Sequence, residues 1–144
     1  MNNLIRGGAV ALGITLGSAP GLAETWTPSP EPPFWSQTRQ TLQTSGKLSE
    51  GPWMFMEAMD SPNLKAGEYL SDPERTAAGV EFDAALLMQR QGKETWEVRE
   101  LRMRALCNQK RLQRSNSPGQ WLDYVGREDT SDKVAWICAL PTPG

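Results

Sequence analysis

The chain has 144 residues, 38% of them apolar and 22% charged, which is globular composition and excludes a disordered chain or one built of membrane spans. It contains no histidine, so Ser-His-Asp and Cys-His nucleophile pairs, imidazole-ligated zinc and histidine-based pH switching are excluded together. A net charge of −2 argues against a nucleic-acid partner, although residues 90–114 hold eight Lys/Arg against three Glu and are locally basic.

At the N-terminus, Arg6, the apolar run over residues 7–17 and the small residues ending at Ala23 have the three-part pattern of a secretory signal. Residues 1–23 are therefore expected to be a signal peptide, and the chain to be exported to the periplasm or an equivalent lumen, with secretion or surface display as further destinations. The run is too short for a bilayer span, which needs about 20 residues, so the protein is expected not to cross a membrane. Cleavage leaves 121 residues, enough for one domain.

Residues 24–51 form a Pro-rich leader. The stretch ETWTPSPEPP (24–33) cannot enter the interior of a helix or sheet, because each proline lacks an N–H and fixes its φ. Residues 34–42 suggest a short helix laying Phe34, Trp35 and Leu42 on the domain, and 46–51 read as a loop. The domain itself is expected over residues 52–144.

Within it, residues 53–59 read as a strand. Ser71, Glu74 and Pro73 match a capping-box start for a brief helix ending at Gly79; a longer helix running on to Met88 is the rival. Val80, Phe82, Ala84, Leu86 and Met88 then alternate with Glu81, Asp83, Ala85, Leu87 and Gln89, the period of a half-buried strand. Gln91-Gly92-Lys93 marks a turn. Beyond it the apolar parity switches from Trp96 and Val98 to Leu101, Met103, Ala105 and Cys107, which predicts a bulge near Arg99 and Glu100. Residues 121–125 make a shorter strand, 126–132 a loop, and 134–140, apolar on both parities, a central or covered strand. The fold class is thus α+β, mainly antiparallel β: a small sheet with a long central hairpin, one wet face and one or two short helices.

Two cysteines, Cys107 and Cys138, are the whole complement, and in an exported chain an even count predicts a disulfide. Of six tryptophans, Trp53 and Trp136 lie in apolar runs, while Trp26 and Trp35 lie beside prolines and could dock the leader onto the domain or onto a partner. Arg99, Arg102, Arg104, Lys110 and Arg111 make a basic stretch with two readings: a solvated strand face that blunts aggregation, or a contact for an anionic or protein partner. Asp123, Tyr124, Glu128, Asp129 and Asp132 are the remaining material for carboxylate chemistry: two carboxylates can perform the acid and base steps of glycoside cleavage, but the cluster lacks a calcium-loop pattern and has the composition of a solvated turn. No cofactor or metal motif is present in the sequence, and no enzymatic activity is expected.

Tyr69-Leu70-Ser71-Asp72 before a short helical turn, the alternating hairpin, the Cys107 strand followed by Lys110 and Arg111, and Trp136-Ile137 leading to Pro141 resemble the surface-adhesin protein E-like family of small exported bacterial proteins. The resemblance spans residues 53–144. It implies a small antiparallel sheet with helical additions, in a family whose best-known member is a surface adhesin for host matrix proteins. The chain departs from that pattern in placing Cys138 two residues after Trp136 and in carrying no lipid-attachment cysteine after the signal. The fold expectation carries over; the ligand does not. The functional expectation is an exported, non-enzymatic binding module that uses the basic strand face and the leader aromatics. The alternatives are an assembly subunit peripherally associated with an envelope complex and, more remotely, a carboxylate-dependent hydrolase.

Overall fold

The computed structural model describes residues 26–116, 119–124 and 130–143; the expected signal segment lies outside them. In chain order the elements are α1 (Pro33–Thr44), β1 (Met54–Asp60), β2 (Leu64–Arg75), β3 (Val80–Arg90), β4 (Glu97–Leu106), β5 (Arg111–Ser115), β6 (Trp121–Asp123) and α2 (Thr130–Cys138). The six strands form one antiparallel sheet in sequential order, β1 to β6, with every neighbour joined by a short connection. No helix among the described residues is long and apolar enough to cross a membrane.

Each sheet face carries one helix, and the two helices sit at opposite ends of the long central strands. On one face α1 and the loop after it cover Phe55, Tyr69, Ala85 and Leu87 with Trp35, Leu42 and Leu48. Trp35 and Leu42 lie seven residues apart, two helical turns, and so share a stripe. The Trp35 ring rests directly on Gly67: a Cβ there would come within 2.6 Å of it. On the other face α2 packs Val134 and Ile137 on Val80, Phe82, Met103, Ala105 and Leu112. Trp26 closes that end, its ring 5.7 Å from that of Trp136 and edge-on. Residues 26–48 are thus built into the packed body.

The diagonal placement of the helices explains the parity switch in β4. Its register with β3 runs unbroken from Val80–Ala105 to Met88–Glu97, so the expected bulge at Arg99 and Glu100 does not exist. The buried face changes instead, because α1 covers one face at the Trp96–Val98 end and α2 covers the other at the Met103–Ala105 end. For the same reason the hairpin lacks a single wet face: Ala85 and Leu87, on the nominally polar parity, are 1% and 0% exposed.

Two further expectations fail. The brief helix at residues 71–79 is absent, as is its longer rival to Met88; β2 continues to Arg75 and then turns through Thr76 and Gly79 into β3. Asp72, at φ 52°, and Pro73 fall in a register shift between Ser71 and Glu74, where a proline withdraws no ladder donor. The hydroxyl expected to cap the helix, Ser71 Oγ, donates to the Pro52 carbonyl. The strand expected at 134–140 is also absent, since residues 130–138 are helical. An apolar run does not itself separate strand from helix. Burial of Lys133, Val134 and Ile137 follows the helical period, and Thr130-Ser131-Asp132 supplies a helix start.

The α1 face contains a half-buried polar anchor. Arg39 reaches Glu31 through Nε at 2.9 Å and Nη2 at 3.0 Å, and the Tyr69 hydroxyl donates to the same carboxylate at 2.7 Å. The Arg39 hydrogen bond is the main cause that holds the Glu31 carboxyl below its ordinary value of 4.5. A carboxyl depressed by folding contributes stability that is present above its unfolded value and lost as pH falls through the folded one. Thermal unfolding of wild type and Glu31→Gln should therefore differ most at neutral pH, with the gap closing below about pH 4.5. A gap unchanged down to pH 3 would contradict the linkage.

Candidate functional site

The arginine row exists, but it is not a basic field. Arg102 and Arg104 project from β4 on the part of the α1 face that the helix leaves open. Arg102 pairs with Asp83 at 3.1 Å, Glu74 at 3.2 Å and Glu81 at 3.7 Å. Arg104 donates to Gln113 at 2.8 Å and stacks 4.5 Å from the centroid of Trp121. Arg111 donates to Gln109 and Asp123. Two of the three arginines thus meet four carboxylates, and Arg104 is held by an amide oxygen and an indole ring instead. Arg99 points to the opposite face, beside Leu86 in the register, and Lys110 sits in the β4–β5 turn at φ 56°.

The leader tryptophans are drawn inward. Trp35 is 5% exposed, which leaves it almost no surface for a partner, and Trp26 packs on Trp136. Of the two uses the sequence allowed for them, docking onto the domain is the one the packing shows. Of the carboxylate group, Asp123 is held by Arg111 and Gln113, whose hydrogen bonds lower its pKa, and Asp132 lies exposed in the first turn of α2. Glu128 and Asp129 lie outside the described residues. Cys107 and Cys138 do form the expected disulfide, with Cα atoms 6.0 Å apart. It ties the end of α2 to the residue after β4, and Arg75 Nη2 donates to the Cys138 carbonyl at 2.7 Å, capping the same helix end.

The feature the sequence did not announce is a cleft of about 240 Å³ on the α2 face. Its origin is a mismatch of lengths. At about 3.4 Å per residue, β2 with 12 residues runs for about 40 Å; at about 1.5 Å per residue, α2 with nine covers about 13 Å. The helix lies over β4 and β5, so the apolar residues of β1, β2 and β3 continue beyond it. Met56, Met59, Met88 and Met103 line the cleft with Phe82, Ala84 and Leu86, while Thr130, Lys133 and Ile137 form the α2 wall. Four of the five methionines after Met1 thus meet in one place. Thioether side chains are flexible and polarizable, and they adapt to apolar ligands of varied shape.

One polar cluster lies on the cleft wall. Lys133, 8% exposed, donates to Glu57 and, at 2.9 Å, to Glu68, and lies 5.6 Å from the Trp26 ring centroid. Burial opposes its charge, but the Glu68 and Glu57 carboxylates outweigh that effect, and the ammonium titrates above its ordinary value. Among the described residues no group of His, Cys, Asp or Glu is placed to hold a metal ion.

Comparison with protein-family models, with curated proteins and with solved structures found no match. The functional reading therefore rests on geometry and chemistry.

Proposed function

We propose that this is an exported, non-catalytic binding module that takes a small apolar or amphiphilic molecule in the cleft between β1–β3 and α2. The observation that carries this reading is the cleft itself: methionine-lined, about 240 Å³ and larger than the roughly 150 Å³ of apolar space that admits benzene in an engineered cavity. Export is supported by the signal pattern of residues 1–23 and by the Cys107–Cys138 bond, which suits an oxidising compartment. The arginine row, with its charges paired internally, supports an anionic partner less well than the cleft supports an apolar ligand.

The test uses methionine methyl NMR on the processed protein, titrated with 1-octanol. The methyls of Met56, Met59, Met88 and Met103 should shift together and saturably, while Met54, outside the cleft, stays in place. Ala66→Phe, a bulkier side chain on the cleft floor that suits a strand, should weaken that binding at least tenfold with little change in Tm. Uniform shifts at all five methyls, or none, would overturn the reading.

The assembly-subunit alternative is favoured by one observation: β1 is an edge strand on which Met54 and Met59 are 41% and 38% exposed. Crosslinking from β1 in intact cells to a single stoichiometric partner would support that alternative.

A further inference from the structure

The geometry points to a docking surface: one end of the sheet, with its exposed aromatic and lysine side chains, rests on an anionic lipid bilayer. It is the end where β1 turns into β2 through residues 61–63 and β3 into β4 through residues 91–96. The first turn of α1 reaches it. The Phe34 ring lies 5.4 Å from that of Trp35 and 6.3 Å from that of Trp96, centroid to centroid, yet Phe34 stays 49% exposed. On the other face of the same end Met59 is 38% exposed. Two of the four large apolar side chains left exposed among the described residues therefore flank one end of the sheet, a shape that a fluid interface accommodates more readily than a rigid partner does.

The charges at this end decide which surface. Asp60 pairs with Lys65 and Glu97 with Arg90, so those carboxylates are already matched. Lys47 donates to the Trp96 carbonyl at 3.5 Å, and Lys93 is exposed in the turn; neither makes an ion pair among the described residues. With Glu94 counted, four cations stand against three carboxylates here, on a chain whose net charge is −2. An anionic surface therefore meets attraction at this end while the molecule as a whole is repelled, which fixes the orientation of approach. Aromatic rings flanked by lysines suit the headgroup region of a bilayer: the rings occupy the interface, and each ammonium is drawn to acidic headgroups. The cleft reaches the same end, where Met59, Leu64 and Met88 line it. Docking would thus present the cleft to a source of amphiphilic molecules; that consequence rests on the cleft reading, whereas the docking does not.

The experiment is cosedimentation of the full mature protein with vesicles of phosphatidylglycerol and phosphatidylcholine, and with vesicles of phosphatidylcholine alone. The protein should partition onto the anionic vesicles, more weakly onto the neutral ones, and less as salt screens the headgroups. Lys93→Gln should lower partitioning about fivefold, while Lys110→Gln, in the β4–β5 turn at the opposite end, should leave it unchanged. Phe34→Ser should lower it by a similar factor of about five, through lost apolar contact. Lys93 is exposed in a turn, so that variant keeps the fold even if Phe34→Ser disturbs Trp35. No partitioning onto anionic vesicles would overturn the proposal, as would partitioning that Lys93→Gln leaves intact or that Lys110→Gln weakens equally. A concentration-dependent dimer abolished by Phe34→Ser, without vesicle binding, would overturn it in favour of a second copy of the chain. The 1-octanol titration reads the cleft separately, because neither Phe34 nor Lys93 lines it. Methyl shifts without vesicle binding remove the docking alone; vesicle binding without methyl shifts removes the cleft reading and leaves the docking in place.

Discussion

Removing the disulfide by the double substitution Cys107→Ala/Cys138→Ala should lower the unfolding free energy by about 3 to 4 kcal/mol, and Tm by about 10 to 25 °C. The bond closes a separation of 31 residues, and the entropy withheld from the unfolded chain grows with the logarithm of that loop. Domains of this size hold only about 5 to 15 kcal/mol in all, so the loss is a large share of the total. It should also be local in its consequences. A helix of nine residues is too short to persist in water alone, so α2 depends on Val134 and Ile137 beneath it and on the tether at its end. Thr130, Lys133 and Ile137 form a wall of the cleft, so reduction should weaken ligand binding below the temperature at which the sheet unfolds. Circular dichroism melts of the oxidised, reduced and doubly substituted proteins check the first effect, and the methionine methyl titration checks the second. A Tm change under about 3 °C would mean that the tether constrains little of the unfolded chain.

What could be read in the sequence was whatever a single strand or a single spacing encodes. The central hairpin, the strand near residue 54, the Gln91–Lys93 turn and the cysteine pairing all follow from period two, turn residues and cysteine count, and all are present. Features decided by a neighbour were misread. The β4 parity switch looks like a bulge until the two helices are known to cover opposite faces at opposite ends. Ser71 to Glu74 satisfies a capping pattern, yet Ser71 and Glu74 pair with Asp83 and Glu81 of β3 on either side of the register shift, and tertiary pairing outweighs a local cap.

The same division holds for the site. Arg102 and Arg104 were visible as a row, but Glu81 and Asp83 become partners of Arg102 only through the β3–β4 register. Lys133 fell between the loop expected at 126–132 and the strand expected at 134–140, and its partners Glu57 and Glu68 lie 76 and 65 residues away. The signal available was weaker: Glu57 stands between Met56 and Ala58 in the edge strand, and Glu68 between Gly67 and Tyr69 in the next. Methionine enrichment was countable, but the convergence of four thioethers needs the sheet to assemble first.

Gly79→Ala is expected to cost about 3 to 5 kcal/mol, comparable to losing the disulfide, although it adds a single methyl group. Gly79 immediately precedes β3 at φ +156°, and a Cβ there would lie 1.9 Å from the carbonyl oxygen of Ala105. The next nearest atoms are the Ala105 carbonyl carbon at 3.1 Å and the Cys107 amide nitrogen at 3.3 Å, so everything it meets is backbone. No rotamer change can relieve the clash; one strand must move. The strands concerned are joined through Val80 and Ala105, each 0% exposed, and Cys107 carries the tether to α2. Displacement there opens the core under α2 and pulls on the disulfide together. Gly92→Ala separates the contact from the dihedral, because Gly92 also has positive φ, +79°, but has nothing within 4 Å of its Cβ position. That change should cost only the left-handed backbone penalty, about 1 to 2 kcal/mol. Urea unfolding of the two variants measures the difference. Equal losses would show that β3 and β4 can separate at this point without cost, and that the close approach of Gly79 to Ala105 does not hold the end of the sheet beneath α2.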